Sequence, residues 1–327
     1  MPMDIDSSGG VAYTLDVSIG QDKKVVPVLV DTGSADLWVS ASPCDNCTKS
    51  GMINTGIITN DGCDLKSKTY GSGSVHGCLV PTDVAIGDYA LKDYPLLAAR
   101  DTEGFDGKYM SGIFGLAMNK ISIDNHATPI DLMYSASLIS TLEVGFYLTR
   151  QGDGSEIVFG NPHSDKHANH SKKVQLDKQG DGGLYRIRLD SFVSHDQPIT
   201  GSNPKMQDID VIIDTGTTNL LVTESMMSPM YAALGGLQQP DDCMFVAPCE
   251  GPDNPDAALA LQFAGTVFPI KWQDLVLRPS TSKPDHCYLR TQRTPAENYI
   301  LIGSAFLHNT YHVINAATGQ VTFYGLN

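Results

Sequence analysis

Two short elements carry the most chemistry in this chain. Asp31-Thr32-Gly33-Ser34 and Asp214-Thr215-Gly216-Thr217 repeat a carboxylate, hydroxyls and a glycine in one order, 183 positions apart. A carboxylate on a glycine turn can be held by backbone amides. The hydroxyls of Thr32, Ser34, Thr215 and Thr217 can supply the remaining hydrogen bonds that a buried carboxylate requires. If the fold brings Asp31 and Asp214 face to face, both cannot ionise cheaply, so they share one proton. The ionised member is then a general base for a water held between them. The protonated member can hydrogen-bond a carbonyl, stabilise the developing oxyanion and pass its proton to a leaving amine. Such hydrolysis needs no metal, cofactor or covalent intermediate. The pair titrates as a unit, and neither residue owns the proton.

Positioning the two carboxylates falls to the segments around them. Val28-Leu29-Val30 precedes Asp31 and Val211-Ile212-Ile213 precedes Asp214. Both are β-branched apolar runs that predict buried strands. Gly33 and Gly216 then permit a tight turn without a Cβ penalty. The likeness continues through Leu37-Trp38-Val39 and Leu220-Leu221-Val222. Apolar-apolar-Gly triplets, Ile113-Phe114-Gly115 and Leu301-Ile302-Gly303, follow the two copies at comparable distances. This is an imperfect internal duplication. Short strands are predicted at 11–19, 156–160 and 320–324, and helices only at 129–137 and 225–234. The expected fold is all-β and bilobal: an N-terminal lobe over 1–172, a C-terminal lobe over 173–327, and the polar run 161–173 as junction.

Composition narrows the function classes. The chain has 327 residues, enough for two cores, with 41% hydrophobic and 18% charged residues. Its formal net charge is −15, and Lys23-Lys24 and Lys172-Lys173 are isolated basic pairs. That surface repels phosphate, so nucleic acid and anionic membranes are not expected partners. No apolar run approaches the roughly 18 residues of a membrane span. The first thirty residues lack the pattern of a secretory leader. Seven cysteines and the sequons at Asn46 (Asn46-Cys47-Thr48) and Asn169 (Asn169-His170-Ser171) nevertheless suggest an oxidising, extracytoplasmic setting. The expectation is a secreted glycoprotein in mature form. Cys44-x-x-Cys47 lacks a second ligand pair, and His163, His167 and His170 read as loop residues, so no metal site is expected.

Together the two Asp-Thr-Gly elements, their spacing, the apolar-apolar-Gly triplets and Trp38 resemble the pepsin-like aspartic proteases over essentially the whole chain. The cathepsin D and fungal secreted branches are included in that likeness. The resemblance implies an endopeptidase, made as a zymogen and working in acid on protein or peptide substrates, with Asp31 and Asp214 as catalytic residues. It implies inhibition by statine-type peptidomimetics, a monomer and no cofactor. Thr69-Tyr70-Gly71-Ser72-Gly73-Ser74-Val75 is similar to the family's flap hairpin. Tyr70 would then pack on substrate and hydrogen-bond the Trp38 indole, while Gly71 and Ser72 would bond the peptide backbone. Leu29, Tyr70, Met110 and Ile113 would line one side of an apolar cleft, with Ile212 and Leu184 on the other. Bulky apolar residues around the cut would be preferred.

The resemblance pairs Cys249 with Cys287. It also implies two bridges among Cys44, Cys47, Cys63 and Cys78, in any of three connectivities, leaving Cys243 as a free buried thiol. Two departures from the family pattern stand out. Ala35-Asp36 replaces the commoner Ser-Asn or Ser-Ser, and Leu184-Tyr185 stands where a Tyr followed by an aromatic residue is common. Two alternatives stay open. Actin-like ATPases and sugar kinases duplicate similar Asp-x-Gly elements, and a catalytically inactive relative of the same fold could serve as a binding protein.

Overall fold

The alternation at Tyr13–Ile19 forms a strand that turns at Gly20, where φ is +76°, into the strand Lys24–Asp31. The computed structural model describes residues 2–5, 12–47, 52–54, 63–105, 110–150, 154–162, 165–199, 207–238, 244–281, 283–294 and 299–327. Cys243, His163 and Thr48 of the first sequon lie outside the described residues.

The two halves repeat one local topology. Lys24–Asp31 pairs parallel with Gly112–Gly115, which pairs antiparallel with Leu37–Asp45 on its other side. Likewise Gln207–Ile213 pairs parallel with Ile300–Ile302, which pairs antiparallel with Leu220–Val222. Each apolar-apolar-Gly triplet is therefore the strand inserted between the two segments that flank an Asp-Thr-Gly turn. A strand wedged between two others has both edges hydrogen-bonded, and Gly112–Gly115 is buried throughout as well. The glycines are there for space: a Cβ on Gly115 would lie 2.5 Å from the Asp36 backbone nitrogen.

Among the described residues strands dominate, in one 14-stranded and one 11-stranded sheet. Part of the larger sheet draws on both ends of the chain: Glu143–Tyr147 pairs with Tyr311–Asn315, and Ala168–Leu176 pairs with Val321–Leu326. The polar run expected as a junction thus enters a strand, with a register shift between Asn169 and Lys173. Its polar side chains face solvent while Ala168, Val174 and Leu176 face inward. Helices are short. Pro129–Ser135 opens on a capping box between Thr128 and Asp131, and Glu224–Ala233 follows the second repeat. The long alternating helices of an actin-like phosphotransferase are absent among the described residues.

A buried polar network pins the halves together. Tyr13 O–H contacts His308 Nε2, and His308 Nδ1 lies 3.2 Å from Asp274 Oδ1. Arg150 Nε donates to the same oxygen at 2.7 Å, and Asn309 Nδ2 donates to Oδ2 at 3.1 Å. Disulfides join Cys44 to Cys47, Cys63 to Cys78 and Cys249 to Cys287.

Candidate active site

Asp31 ends its strand and Asp214 directly follows Ile213, so each carboxylate sits at the mouth of a buried parallel pair. The turns hold them identically. Gly33 N–H donates to Asp31 Oδ1 at 2.8 Å, and Gly216 N–H donates to Asp214 Oδ1 at 2.8 Å. Ser34 Oγ–H donates to Asp31 Oδ2 at 2.5 Å, and Thr217 Oγ1–H donates to Asp214 Oδ2 at 2.7 Å. Beneath them the threonines cross. Thr32 N–H donates to Thr215 Oγ1 at 3.1 Å and Thr215 N–H to Thr32 Oγ1 at 3.0 Å. Each hydroxyl then donates into the opposite strand, Thr32 to the Ile213 carbonyl and Thr215 to the Val30 carbonyl.

This lattice brings the carboxyls together. A Cβ on Gly33 would stand 2.9 Å from both Asp214 oxygens, and one on Gly216 would stand 2.5 Å from Asp31 Oδ1. Only glycine fits at either position. Asp31 is 6% and Asp214 8% exposed. Burial first, and the facing Asp214 carboxylate second, raise Asp31 from the ordinary 3.8 to about 8. Ser34 and Gly33, which bond the charged form, oppose the rise without cancelling it.

The hairpin of Leu65–Thr69 and Ser74–Ile86 is closed by Tyr70 N–H donating to the Gly73 carbonyl at 2.7 Å, with Gly71 and Ser72 exposed at the tip. Tyr70, Leu29 and Met110 pack partly buried on a cluster that includes Trp38, Ile113 and Val75. Phe105 sits at its centre, with ring centroids 5.4 Å from both Trp38 and Tyr70. It follows Gly104 in a stretch without periodicity, and nothing in the sequence marked it. The expected Tyr70–Trp38 hydrogen bond is corrected: the phenol oxygen and indole nitrogen are both buried without a hydrogen-bond partner. The indole N–H and the Ser34 hydroxyl approach the phenol without reaching hydrogen-bond geometry. Burial, then the Asp31 and Asp36 carboxylates, push the phenol well above its ordinary value, so it stays neutral.

Ile212 and Leu184 join none of the described apolar clusters. Ile212 is buried, and Leu184 is half-buried before Tyr185, whose hydroxyl donates to the Leu116 carbonyl at 2.7 Å. Asn46 is exposed and bonds Asp101, while Asn169 is half-buried and accepts from Ser171. His167 pairs with Glu156 and His170 with Asp165. Among the described residues no group of His, Cys, Asp or Glu could hold a metal, and no helix is long and apolar enough to cross a membrane.

Comparison with known proteins agrees with this geometry. The chain is 28% identical to Syncephapepsin of Syncephalastrum racemosum over 317 residues, covering 95% of this chain and 76% of that protein. It is 24% identical to Vacuolar protease A of Neurospora crassa over 327 residues, covering 98% and 80%. It is 27% identical to Rhizopuspepsin of Rhizopus chinensis over 325 residues, covering 97% and 79%. Residues 12–325 match the family described as eukaryotic aspartyl protease. The chain belongs to that family and is an aspartic-type endopeptidase of the pepsin-like kind.

Proposed function

We propose that Asp31 and Asp214 are the catalytic pair of this acid endopeptidase, supported by Thr32, Gly33, Ser34, Thr215, Gly216 and Thr217. The observation carrying this reading is the mirrored hydrogen bonding that presses each glycine against the other half's carboxylate. With one proton on the pair, the ionised carboxylate takes a proton from a water, and the protonated one hydrogen-bonds the scissile carbonyl. Collapse of the tetrahedral intermediate transfers a proton to the leaving amine and returns the pair to its starting state. Loss of the shared proton as pH rises towards about 8 stops the cycle, so activity is not expected in alkali.

The same proposal takes Tyr70, Gly71 and Ser72 as a lid over the substrate, with Leu29, Met110, Ile113 and Trp38 forming the apolar wall behind it. Bulky apolar side chains would be preferred on that side of the cut. Leu184 and Ile212 would serve the other side. We assign residues 1–172 and 173–327 to two lobes with the cleft between them, each lobe contributing one carboxylate. The protein is proposed to be a secreted monomer derived from a zymogen, glycosylated at Asn46 and Asn169, and inhibited by statine-type peptidomimetics. The test is digestion of an unfolded protein and a peptide library at about pH 3–5, with and without such an inhibitor. Cleavage flanked by apolar residues and blocked by the inhibitor is expected. Intact substrate throughout, or cleavage that rises between about pH 5 and 8, would overturn the proposal.

A further inference from the structure

The departure at Asp36 has a counterpart 32 residues later in the hairpin that carries Tyr70. Asp36 is buried, yet its carboxylate is split between two elements. Oδ1 accepts from Ile123 N–H at 2.8 Å, and Oδ2 lies 2.8 Å from Lys68 Nζ. The pair is shielded: the side chains are 7% exposed for Asp36 and 20% for Lys68. Lys68 Nζ also donates to the Ile121 carbonyl. Asp36 is in turn fixed to the catalytic turn, because its carbonyl accepts from Gly115 N–H at 3.0 Å and Leu116 N–H donates to the Asp31 carbonyl at 2.8 Å. A short, rigid path therefore runs from Asp31 through Asp36 to Lys68, two residues before Tyr70.

The hairpin gives this path a purpose. Among the described residues Leu65–Thr69 is the edge strand of its sheet, paired on one side only with Ser74–Ile86. On its other edge no described strand forms a ladder, so side-chain contacts help to fix it. Lys66 and Lys68 point to one face of the strand, as alternate residues do. Lys66 meets Asp64 at 3.0 Å and Asp124 at 2.8 Å, but those carboxylates are 66% and 56% exposed. Water and salt weaken such a pair. The Lys68–Asp36 pair alone is sheltered and leads to the carboxylate dyad.

We infer that Lys68 and Asp36 are positioning residues for the reaction: their partly buried ion pair sets how the Tyr70 hairpin sits over Asp31. This inference rests on the dyad reading given under Proposed function. Only the hairpin's alignment is at stake, so the loss should fall on kcat more than on KM, since misaligned contacts are weakened most in the transition state.

The experiment is steady-state cleavage of an apolar peptide by wild type, Lys68→Met, Lys68→Arg, Lys66→Met and Asp36→Asn, with thermal unfolding of each. Lys68→Met is expected to lose about ten- to a hundred-fold in kcat/KM. Lys68→Arg should recover most of that loss, and Lys66→Met should stay within about two-fold of wild type. If Lys68→Met does not fold, Asp36→Asn carries the same expectation, because it keeps an acceptor for Ile123 N–H and removes the charge. An unaffected Lys68→Met, an equal loss in Lys66→Met, a loss confined to KM, or a folded Lys68→Arg as poor as Lys68→Met would overturn the inference. Failure of the wild-type protein to cleave would instead strike the dyad reading.

Discussion

Replacing Asp31 by asparagine should make the protein more stable at neutral pH while abolishing its activity. The side chain keeps its shape, so the Gly33 amide retains an acceptor and the Ser34 hydroxyl can turn to accept. The structure sets the sign. Burial and Asp214 raise Asp31 from 3.8 to about 8, so the folded protein binds this proton more tightly than the unfolded chain does. Stability is then undiminished below the unfolded value and falls as pH rises from about 4 to about 8. At about 1.4 kcal/mol per pH unit the full shift corresponds to about 6 kcal/mol. Relaxation and water entry in a real cleft reduce this to about 2–3 kcal/mol. For a chain of this size that is about 5 °C in Tm. Calorimetric scans of wild type and Asp31→Asn at about pH 4, 6 and 8 give the comparison. The variant's advantage should be near zero in acid and grow with pH. A variant less stable than wild type at about pH 8, or an advantage independent of pH, would refute the reasoning.

Three further outcomes follow from other parts of the molecule. His312 is fully buried, stacks on Phe146 with ring centroids 4.8 Å apart, and has no hydrogen-bond partner for either ring nitrogen. Burial lowers it from 6.5 to about 3, so stability is lost as pH falls through that window; His312→Phe should gain about 2 kcal/mol at about pH 4 relative to pH 7.5 in denaturant titrations. Asp274→Ala removes the acceptor shared by Arg150, His308 and Asn309, and should cost about 3–5 kcal/mol by the same titration at neutral pH. Gly216→Ala forces a methyl against Asp31 Oδ1, and should lower kcat by at least about a hundred-fold in peptide assays.

The two Asp-Thr-Gly turns were legible because each is a local pattern, apolar strand then Asp-Thr-Gly, and the pattern occurs twice. Trp38 and Tyr70 were visible for the same reason: both stand at short, fixed distances from a recognisable turn. The Tyr13–His308–Asp274–Arg150 network was not, since its members come from four separate segments whose approach depends on pairing across the whole sheet. Nothing in the sequence marked Lys68, because it meets Asp36 only through the register of the edge strand. The strand Ala168–Leu176 was hidden by composition. Its outward positions are polar and a register shift breaks the alternation, so the run read as a junction. The pairing of four cysteines was undecidable from order alone, because the choice depends on Cys63 meeting Cys78 across the base of the hairpin.

The most direct measurement is digestion of an unfolded protein at about pH 4 by wild type, Asp31→Asn and Asp214→Asn, each first shown to be folded. Wild type should cleave, and each single variant should fall by about a thousand-fold or more, because one carboxylate cannot both activate the water and protonate the carbonyl. Either variant retaining more than about a tenth of wild-type activity would contradict the assignment of a shared-proton pair.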